Sequence, residues 1–247
     1  NKSINLRDFI NYFSYRYLGF GKVVLSIGSI LVFQEDRRVV VWGSGILSKT
    51  LKFGNAKFLA VRGFRTIDKL KELNYNIPEV VGDPALLLPL VYQPKAKEKY
   101  KLGVIPHYIH YEELKMLNSE NIKIINLLQN VEDVINDINA CEYIISTSLH
   151  GVIVSHAYGI PSLWIEFDSA NKLSGDNIKF EDYFSSVCLE PYKPFKLDLS
   201  NFNLEDIIQL FKSNNQILPS HSRIFQIQND LINVAPFLVQ DRYIKEK

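Results

Sequence analysis

The stretch CEYIISTSLHGVIVSHAYGIPSLWIEF, residues 141–167, has the pattern that decides the fold class. The run EYIIS is apolar and predicts a strand, HGVIVSHAY predicts a helix that ends at Gly159, and PSLWIEF predicts a second strand. A strand, a helix and a strand in this order form the repeating unit of a parallel α/β sheet. The stretch therefore predicts such a sheet, with His150 at the start of its helix.

The same alternation continues along the chain in both directions. On the N-terminal side, the sequence predicts a helix in TIDKLKEL and strands in KVVLSIGSILVF, RRVVVWGSG, KFLAVRG and EVVGDPALLLP. Beyond residue 100, it predicts strands in KLGVIPHYI and IKIINLL and helices in EELKMLNSE and VEDVINDINA. The last of these helices should turn one apolar face to a sheet, because apolar side chains recur at helical spacing: Val131, Val134, Ile135 and Ile138.

This organisation predicts an α/β protein with two Rossmann-like domains that face a cleft and have mostly parallel sheets. The N-terminal domain, on the acceptor side, is expected at residues 1–93 and the C-terminal domain at residues 94–220. The polar, lysine-rich segment YQPKAKEKY, residues 92–100, is the expected linker. Residues 221–247 are predicted to form a helical tail that covers the outside.

Composition and motifs exclude several classes of function. The 28 Lys and Arg residues balance 27 Asp and Glu residues, so no broad basic surface for nucleic acid is expected. Cys141 and Cys188 form neither a disulfide framework nor a metal-binding pattern, so we expect no metal and a reducing compartment. No apolar run is long enough to span a membrane, and no signal peptide is evident. We expect a cytoplasmic protein, with the inner face of the cytoplasmic membrane as the alternative location.

A first candidate anion-binding element follows the strand VVVW. Gly43, Ser44 and Gly45 form a G-x-G turn in which backbone amides could approach an anionic donor. The third glycine of the dinucleotide fingerprint is absent, which speaks against a nicotinamide cofactor. The alternative interpretation is a tight turn between a strand and a helix.

Arg62 is a second candidate because it directly follows the apolar run of KFLAVRG. A guanidinium at the carboxyl end of a strand can present a planar fork to a carboxylate or phosphate. The alternative interpretation is an ion pair between the domains or at the surface. For Arg65, which lies one helical turn nearer solvent, this alternative is favoured.

The start of the predicted helix in the opening stretch is the third candidate. Residues 146–148, STS, supply hydroxyls suited to capping, so the amides of Leu149, His150 and Gly151 should point out of the helix start. That end of a helix favours an anion, and Gly151 would allow close approach of a ligand. His150 could act as an acid or base near neutral pH. The alternative is a histidine that only caps its helix.

Three other histidines have weaker claims to a role in catalysis. His107 and His110 follow the strand GVIP at an end that should face the same cleft, and they are secondary candidates. A packed or solvent-facing role is the alternative for each. His156, six residues after His150, is predicted to be structural or exposed.

The sequence lacks the G-x-x-x-x-G-K-[ST], H-E-x-x-H, G-x-S-x-G and D-x-D motifs. With these motifs absent, the anion-binding elements are the remaining indications of function. They favour a metal-free group transfer from a small phosphorylated donor.

Several blocks, in this order, resemble the polysaccharide pyruvyl transferase family: VWGSGI, AVRGFRT, VVGDPALLLP, LGVIPHYIHY and STSLHGVIVSHAYGIPSLWIE. The resemblance spans about residues 22–172 and is most specific in the S-L-H-G block and the following A-Y-G-I-P. It implies a two-domain fold like that of GT-B glycosyltransferases. It also implies transfer of the enolpyruvyl-derived group of phosphoenolpyruvate to a sugar, forming a pyruvate ketal on a bacterial surface glycan.

The resemblance also implies roles for particular residues. Arg62 matches the family arginine that contacts the donor, and His150 matches the histidine of the R-L-H or S-L-H element. Ser148 stands where family members often have an arginine, so a cation such as Lys172 would replace it. Near the start, NLRDFIN is similar to the family's N-x-G-D element, which makes Asp8 a candidate base, although an arginine replaces its glycine.

The predicted function is transfer of a pyruvyl group from phosphoenolpyruvate to a hydroxyl pair of a sugar. His150 would be the acid, Arg62 and the helix start would bind the donor, and no cofactor is expected. The acceptor would be a glycan of a bacterial surface polysaccharide or exopolysaccharide, such as a capsule, either free or lipid-linked. A nucleotide-sugar glycosyltransferase, with Glu166 or Asp168 contacting the ribose, is the main alternative, and a glycan-binding module without activity is the third.

Overall fold

The computed structural model describes residues 21–31, 38–50, 54, 56–95, 98–167, 176–214 and 217–240. Short, β-branched runs form a first sheet in which every strand is parallel to its neighbour and the strands follow one another in chain order. Its strands are β1 (Val23–Leu25), β2 (Val39–Trp42), β3 (Lys57–Val61) and β4 (Val80–Val81).

A second sheet is also parallel throughout, and its strand order is β6-β5-β7-β8-β9. Its strands are β5 (Tyr100–Ile105), β6 (Ile122–Ile124), β7 (Cys141–Ser146), β8 (Ser162–Phe167) and β9 (Phe195–Leu197). The order reverses between β5 and β7. In open α/β sheets, the carboxyl ends of the strands at such a reversal border the crevice in which ligands bind.

Helices alternate with the strands, as the α/β pattern predicts. The α-helices are α1 (Phe64–Glu72), α2 (Leu88–Val91), α3 (Tyr111–Leu114), α4 (Val131–Asn139), α5 (Leu149–Ala157), α6 (Ile178–Ser186), α7 (Leu204–Ser213) and α8 (His221–Asn233). Shorter 3₁₀ turns occupy Pro84–Leu87, Tyr108–His110, Lys115–Leu117 and Leu199–Asn201. The prediction of an α/β protein with parallel sheets is therefore confirmed.

Local details differ from the sequence-based expectations. The predicted strand KVVLSIGSILVF is reduced to β1 in the described residues, because the chain turns at Gly28 with a φ of 113°. The predicted helix EELKMLNSE is split into α3 and a 3₁₀ turn. In α4, Ile135 and Ile138 are buried as expected, whereas Val131, in the first turn of the helix, is 65% exposed.

The largest cluster of buried apolar side chains joins elements of both sheets. It contains Trp42 and Ala60 from the first sheet, Trp164 from the second, and side chains of α5, α6 and α8. The helix α8 therefore does more than cover the outside: it packs on β4 and the Pro84–Leu87 turn. The Trp42 indole N–H donates to the Leu231 carbonyl over 2.9 Å, which ties this last helix to the first sheet.

Candidate active site

The loops that follow β5 and β7 are joined at the point where the strand order reverses. The Thr147 amide donates to the Ile105 carbonyl over 3.1 Å, and the His107 amide donates to the Thr147 hydroxyl over 2.7 Å. His107 and His110 follow β5, and His150 lies in the first turn of α5, directly after β7. The structure thus brings the three histidines to the same edge of the second sheet, as the sequence predicted.

The start of α5 is built differently from the expected cap. Ser148 is the N-cap residue, but its side chain accepts no hydrogen bond from the helix. The Ser146 hydroxyl instead accepts from the Ser148 amide over 3.0 Å and donates to the Ile105 carbonyl over 3.0 Å. The Ser148 side chain therefore does not satisfy the first-turn amides, and the positive end of the helix lies at the switch point.

Two neighbours of His150 serve packing. The side chain of Leu149 is 4% exposed and belongs to the main core, so this side chain is not available to a ligand. A Cβ atom on Gly151 would lie 2.3 Å from the Ser146 hydroxyl oxygen and 2.9 Å from the Cγ2 atom of Ile105. Gly151 allows α5 to approach the strands, whereas the sequence interpretation was close approach of a ligand.

His150 is paired with a buried carboxylate of the first sheet. Its Nε2 lies 3.5 Å from Oδ2 of Asp83, which is fully buried just after β4, while His150 is 35% exposed. The Ala85 amide donates to Oδ1 of Asp83 over 3.0 Å, whereas Oδ2 has no hydrogen-bond partner among the described residues. The Nε2 atom of His150 likewise has no hydrogen-bond partner among the described residues, so the two groups face each other without a hydrogen bond. Asp83 was not among the residues predicted from the sequence, although its position between a strand and a proline was a usable signal.

The charge of a lysine of α6 acts on His107. Burial lowers the pKa of His107, and the charges of Lys179 and His110 lower it further. Burial also lowers the pKa of Lys179, with a contribution from the charge of Arg62. Lys179 was not predicted from the sequence, because its effect on His107 depends on how α6 packs in the folded protein.

Arg62 occupies an interior ion pair. Its side chain is fully buried, and Nε donates to Oδ2 of Asp182 over 2.9 Å. Nη1 donates to the Ser29 hydroxyl over 2.6 Å, and Nη2 donates to the Ile46 carbonyl over 2.7 Å. Since all three guanidinium nitrogens donate to protein oxygens, this structure does not present the expected fork to a donor. It shows the alternative, an ion pair between elements, with Asp182 also accepting from both the amide and the hydroxyl of Thr66.

The G-x-G turn is also used for packing, whereas the sequence left an anion site and a tight turn as alternatives. The Gly43 amide donates to the Ala60 carbonyl over 2.9 Å, and the Gly45 amide donates to the Gly28 carbonyl over 3.1 Å. A Cβ atom on Gly45 would lie 2.5 Å from the Cζ atom of Arg62, so glycine makes room for the buried guanidinium. These amides have protein partners and do not point at a ligand.

Three further predicted residues have different outcomes. Ser44 is fully buried, and its hydroxyl donates to the Gly28 carbonyl over 2.7 Å, which is a structural role. Asp8 and Lys172 lie outside the described residues. Their roles as base and donor-binding cation stay predictions.

His156 is structural, in agreement with the sequence. It is 2% exposed, with Nδ1 lying 3.0 Å from the Tyr183 hydroxyl and Nε2 lying 3.0 Å from the Ile217 carbonyl oxygen. Because a carbonyl only accepts, Nε2 carries the proton and Nδ1 accepts from Tyr183. Burial lowers the pKa of His156 to about 4 and raises that of Tyr183.

Within the described ranges, no group of three His, Cys, Asp or Glu side chains is placed to hold a metal ion. In the same part of the chain, no helix is both long and apolar enough to cross a membrane.

The family model described as polysaccharide pyruvyl transferase matches residues 3–169, well over half of the 247 residues. The chain belongs to the polysaccharide pyruvyl transferase family. The resemblance carried by the sequence blocks is thereby confirmed, and the matched range includes Asp83, His107 and His150. Lys179 and Asp182 of this pyruvyl transferase family member follow residue 169 and therefore lie outside the range that the family model matches.

One curated relative is Uncharacterized protein L143 of Acanthamoeba polyphaga mimivirus, which is 32% identical over 193 residues. The match covers 73% of this chain and 66% of the relative, so the chain spans just under two thirds of that protein's length. No solved structure matched the chain.

Proposed function

We propose that this chain transfers the enolpyruvyl-derived group of phosphoenolpyruvate to two hydroxyls of a sugar and releases phosphate. The acceptor is a glycan of a surface polysaccharide or its lipid-linked precursor. Membership of the family supports this proposal. The observation that carries it is the pairing of His150, at the start of α5, with the buried Asp83 carboxylate.

The donor is a small trianion and needs positive potential without a large basic surface. The first turn of α5 supplies backbone amides and the positive end of a nine-residue helix, which suit a phosphate or a carboxylate. His150 lies within this turn. An anion bound there therefore lies next to a group that can carry a proton near neutral pH.

The chemistry that we propose begins with His150 as a general acid. Its imidazolium donates a proton to the methylene carbon of phosphoenolpyruvate, which leaves an oxocarbenium-like centre at C2. One sugar hydroxyl adds to C2, and its proton goes to a base. The C2–O bond to phosphate then breaks, and a second hydroxyl adds and loses its proton. One released proton restores His150, and the other leaves with phosphate.

Asp83 and Asp8 have different parts in this scheme. The Asp83 carboxylate, with Oδ2 lying 3.5 Å from Nε2 of His150, is proposed to orient the imidazole for proton transfer. Asp8 is the proposed base for the sugar hydroxyl. Lys172 is proposed as an additional donor-binding cation.

We also propose that the two sheets belong to two domains in a GT-B-like arrangement, with the reaction in the cleft between them. The Asp83–His150 pair supports this arrangement, because Asp83 follows a strand of the first sheet and His150 follows a strand of the second. A lipid-linked acceptor would bring the protein to the cytoplasmic face of a membrane.

The test is incubation of the purified protein with phosphoenolpyruvate and candidate glycans, followed by mass analysis of the glycan and measurement of released phosphate. We expect a pyruvate ketal and an equal amount of phosphate. His150→Ala should lower the rate by about 10²- to 10⁴-fold, the usual contribution of a general acid. His221→Ala is the matched control, because His221 is exposed at the start of α8.

A rate for His150→Ala within a factor of about two of the wild type would rule out its role as the acid. Stabilisation of the protein by nucleotide sugars and not by phosphoenolpyruvate would overturn the proposed reaction.

A further inference from the structure

A cavity of about 480 Å³ opens at the carboxyl edge of the first sheet and is called the apolar pocket below. Its wall includes Ile27, shortly after β1, Trp42, the last residue of β2, and Pro84, shortly after β4. In open α/β sheets, the crevice outside this edge is where ligands bind. The volume lies in the range of small-molecule sites, about 300 to 1,000 Å³. Position and size are therefore those of a ligand site.

The wall of the apolar pocket offers almost no hydrogen bonds. Of the described residues that line it, Ser26 and Gln240 are polar and none is charged. The indole N–H of Trp42 is already used, because it donates to the Leu231 carbonyl over 2.9 Å. A sugar, a nucleotide or a phosphate would lose hydrogen bonds to water in such a pocket without gaining replacements. The wall therefore favours a hydrocarbon.

The mouth of the apolar pocket leaves apolar side chains in contact with water. Ile27, Val91 and Phe237 are 47, 61 and 53% exposed, and Leu238 is fully exposed. Apolar surface that is concentrated in this way marks an interaction site. A hydrocarbon chain that enters between these side chains removes them from water, and this burial stabilises the complex.

One side of the apolar pocket adjoins the Asp83–His150 pair. Pro84 lines the pocket, and the residue before it, Asp83, places Oδ2 3.5 Å from Nε2 of His150. Pocket and pair are thus built from consecutive residues of the same loop. A ligand with a hydrocarbon tail in the pocket can therefore hold its polar head beside the pair.

We propose that the apolar pocket binds the hydrocarbon chain of a lipid-linked acceptor, whose sugar lies at the Asp83–His150 pair. The inference rests on the proposed function for the identity of the head group, whereas the hydrocarbon site is argued from the pocket itself. A pocket of this size suits a narrow chain better than a second copy of the protein, because stable protein–protein interfaces bury about 800 Å² on each partner.

Fluorescence quenching tests the site, because Trp42 belongs to the wall and the chain has two tryptophans. In Trp164→Phe, a dodecyl glucoside with a brominated chain should quench Trp42, since bromine acts only at short range. Unbrominated dodecyl glucoside should reverse the quenching by competition, whereas methyl glucoside should not. The control is Trp42→Phe, in which the remaining Trp164 is 5% exposed, stacks on Phe180 and does not line the pocket. Its quenching should be weak.

Calorimetric titration measures how the chain is bound. Affinity should rise about fourfold for each methylene group added to the alkyl chain, until the chain fills the pocket. Val91→Asp places a charge at the mouth and should weaken binding of dodecyl glucoside about 10-fold or more. The matched control is Val131→Asp in α4, because Val131 is 65% exposed and does not line the pocket. This control should bind like the wild type.

Absence of Trp42 quenching, or equal quenching of Trp164, would overturn the hydrocarbon site. A dimer that Val91→Asp dissociates, together with no quenching, would assign the apolar pocket to a second copy of the chain.

Kinetics then separate this inference from the proposed function. With the sugar that serves as acceptor, Val91→Asp should raise the KM of the dodecyl glycoside and leave that of the methyl glycoside unchanged. Quenching of Trp42 without a ketal on any glycan would retain the hydrocarbon site and reject the proposed function. Ketal formation with the same KM for both glycosides in the wild type would retain the function and reject the lipid-linked acceptor.

Discussion

His156 is a histidine that the fold keeps neutral. Its Nδ1 accepts from the Tyr183 hydroxyl and its Nε2 donates to the Ile217 carbonyl, with both contacts inside the core. Protonation at Nδ1 would place a second donor against the phenol hydroxyl and leave a charge without a partner. Burial therefore lowers the pKa of His156 to about 4.

This arrangement predicts how stability depends on pH. The unfolded chain takes up a proton at His156 below about pH 6.5, whereas the folded protein does so only near pH 4. The free energy of unfolding should therefore fall as the pH is lowered through this window, by roughly 3 kcal/mol from this residue. Urea unfolding at several pH values measures the effect, and His156→Gln should have a shallower pH dependence. Equal slopes for both proteins would contradict this account.

At the scale of single residues, the sequence predicted where a residue lies in the fold better than it predicted which side chains that residue contacts. His107 and His150 were found because polar residues at the carboxyl ends of parallel strands meet at one edge. Arg62 follows a strand in the same way, but its guanidinium forms a buried ion pair with Asp182, which lies 120 positions away in the sequence. Sequence spacing does not show which distant carboxylate reaches a cation, and for the same reason Lys179 was missed.

The Arg62–Asp182 pair joins two elements, because Arg62 directly follows β3 and Asp182 lies in α6. Gly63 allows the close approach, since a Cβ atom there would lie 1.7 Å from the Asp182 carbonyl oxygen. Next to this pair, Thr66 of α1 donates twice to the same carboxylate. The ion pair thus fixes the position of α6 and, with it, the position of Lys179.

Asp182→Asn should destabilise the protein by about 3 to 5 kcal/mol, because it leaves the buried guanidinium of Arg62 without a countercharge. Urea unfolding is the measurement. The matched control is Arg65→Met in α1, where the ion pairs with Asp68 and Glu181 are long and exposed, at 3.8 and 3.7 Å. Its effect should stay below about 1 kcal/mol. Similar losses in the two variants would show that burial of the pair adds no stability.

At the scale of the whole molecule, the largest cluster of buried apolar side chains spans both sheets, while each sheet also has a smaller cluster of its own. Trp42 and Trp164 belong to different sheets, yet both lie in the same cluster of buried side chains. Sequence patterns predicted the two α/β halves because each half repeats the alternation of strands and helices. They could not predict that α8 would pack on the first sheet, because its apolar spacing shows which face is buried and not which surface covers it.

The shared core predicts a single unfolding transition. The chain has two tryptophans, so Trp42→Phe and Trp164→Phe each leave one fluorescent reporter in a different sheet. Unfolding curves in urea should have the same midpoint within each variant whether followed by fluorescence or by circular dichroism. Two separated transitions, with the remaining tryptophan following only one of them, would show that the sheets unfold independently.

The position of α8 also sets an order of assembly during synthesis. The ribosome makes the strands of the first sheet early, but the surface that contains Trp42 is covered by a helix made much later. Until residues 221–233 emerge, the part of this apolar face that packs on α8 stays exposed on the nascent chain. The first sheet is therefore fully covered only after residues 221–233 have been made, and the apolar side chains exposed in that interval favour aggregation or binding by chaperones.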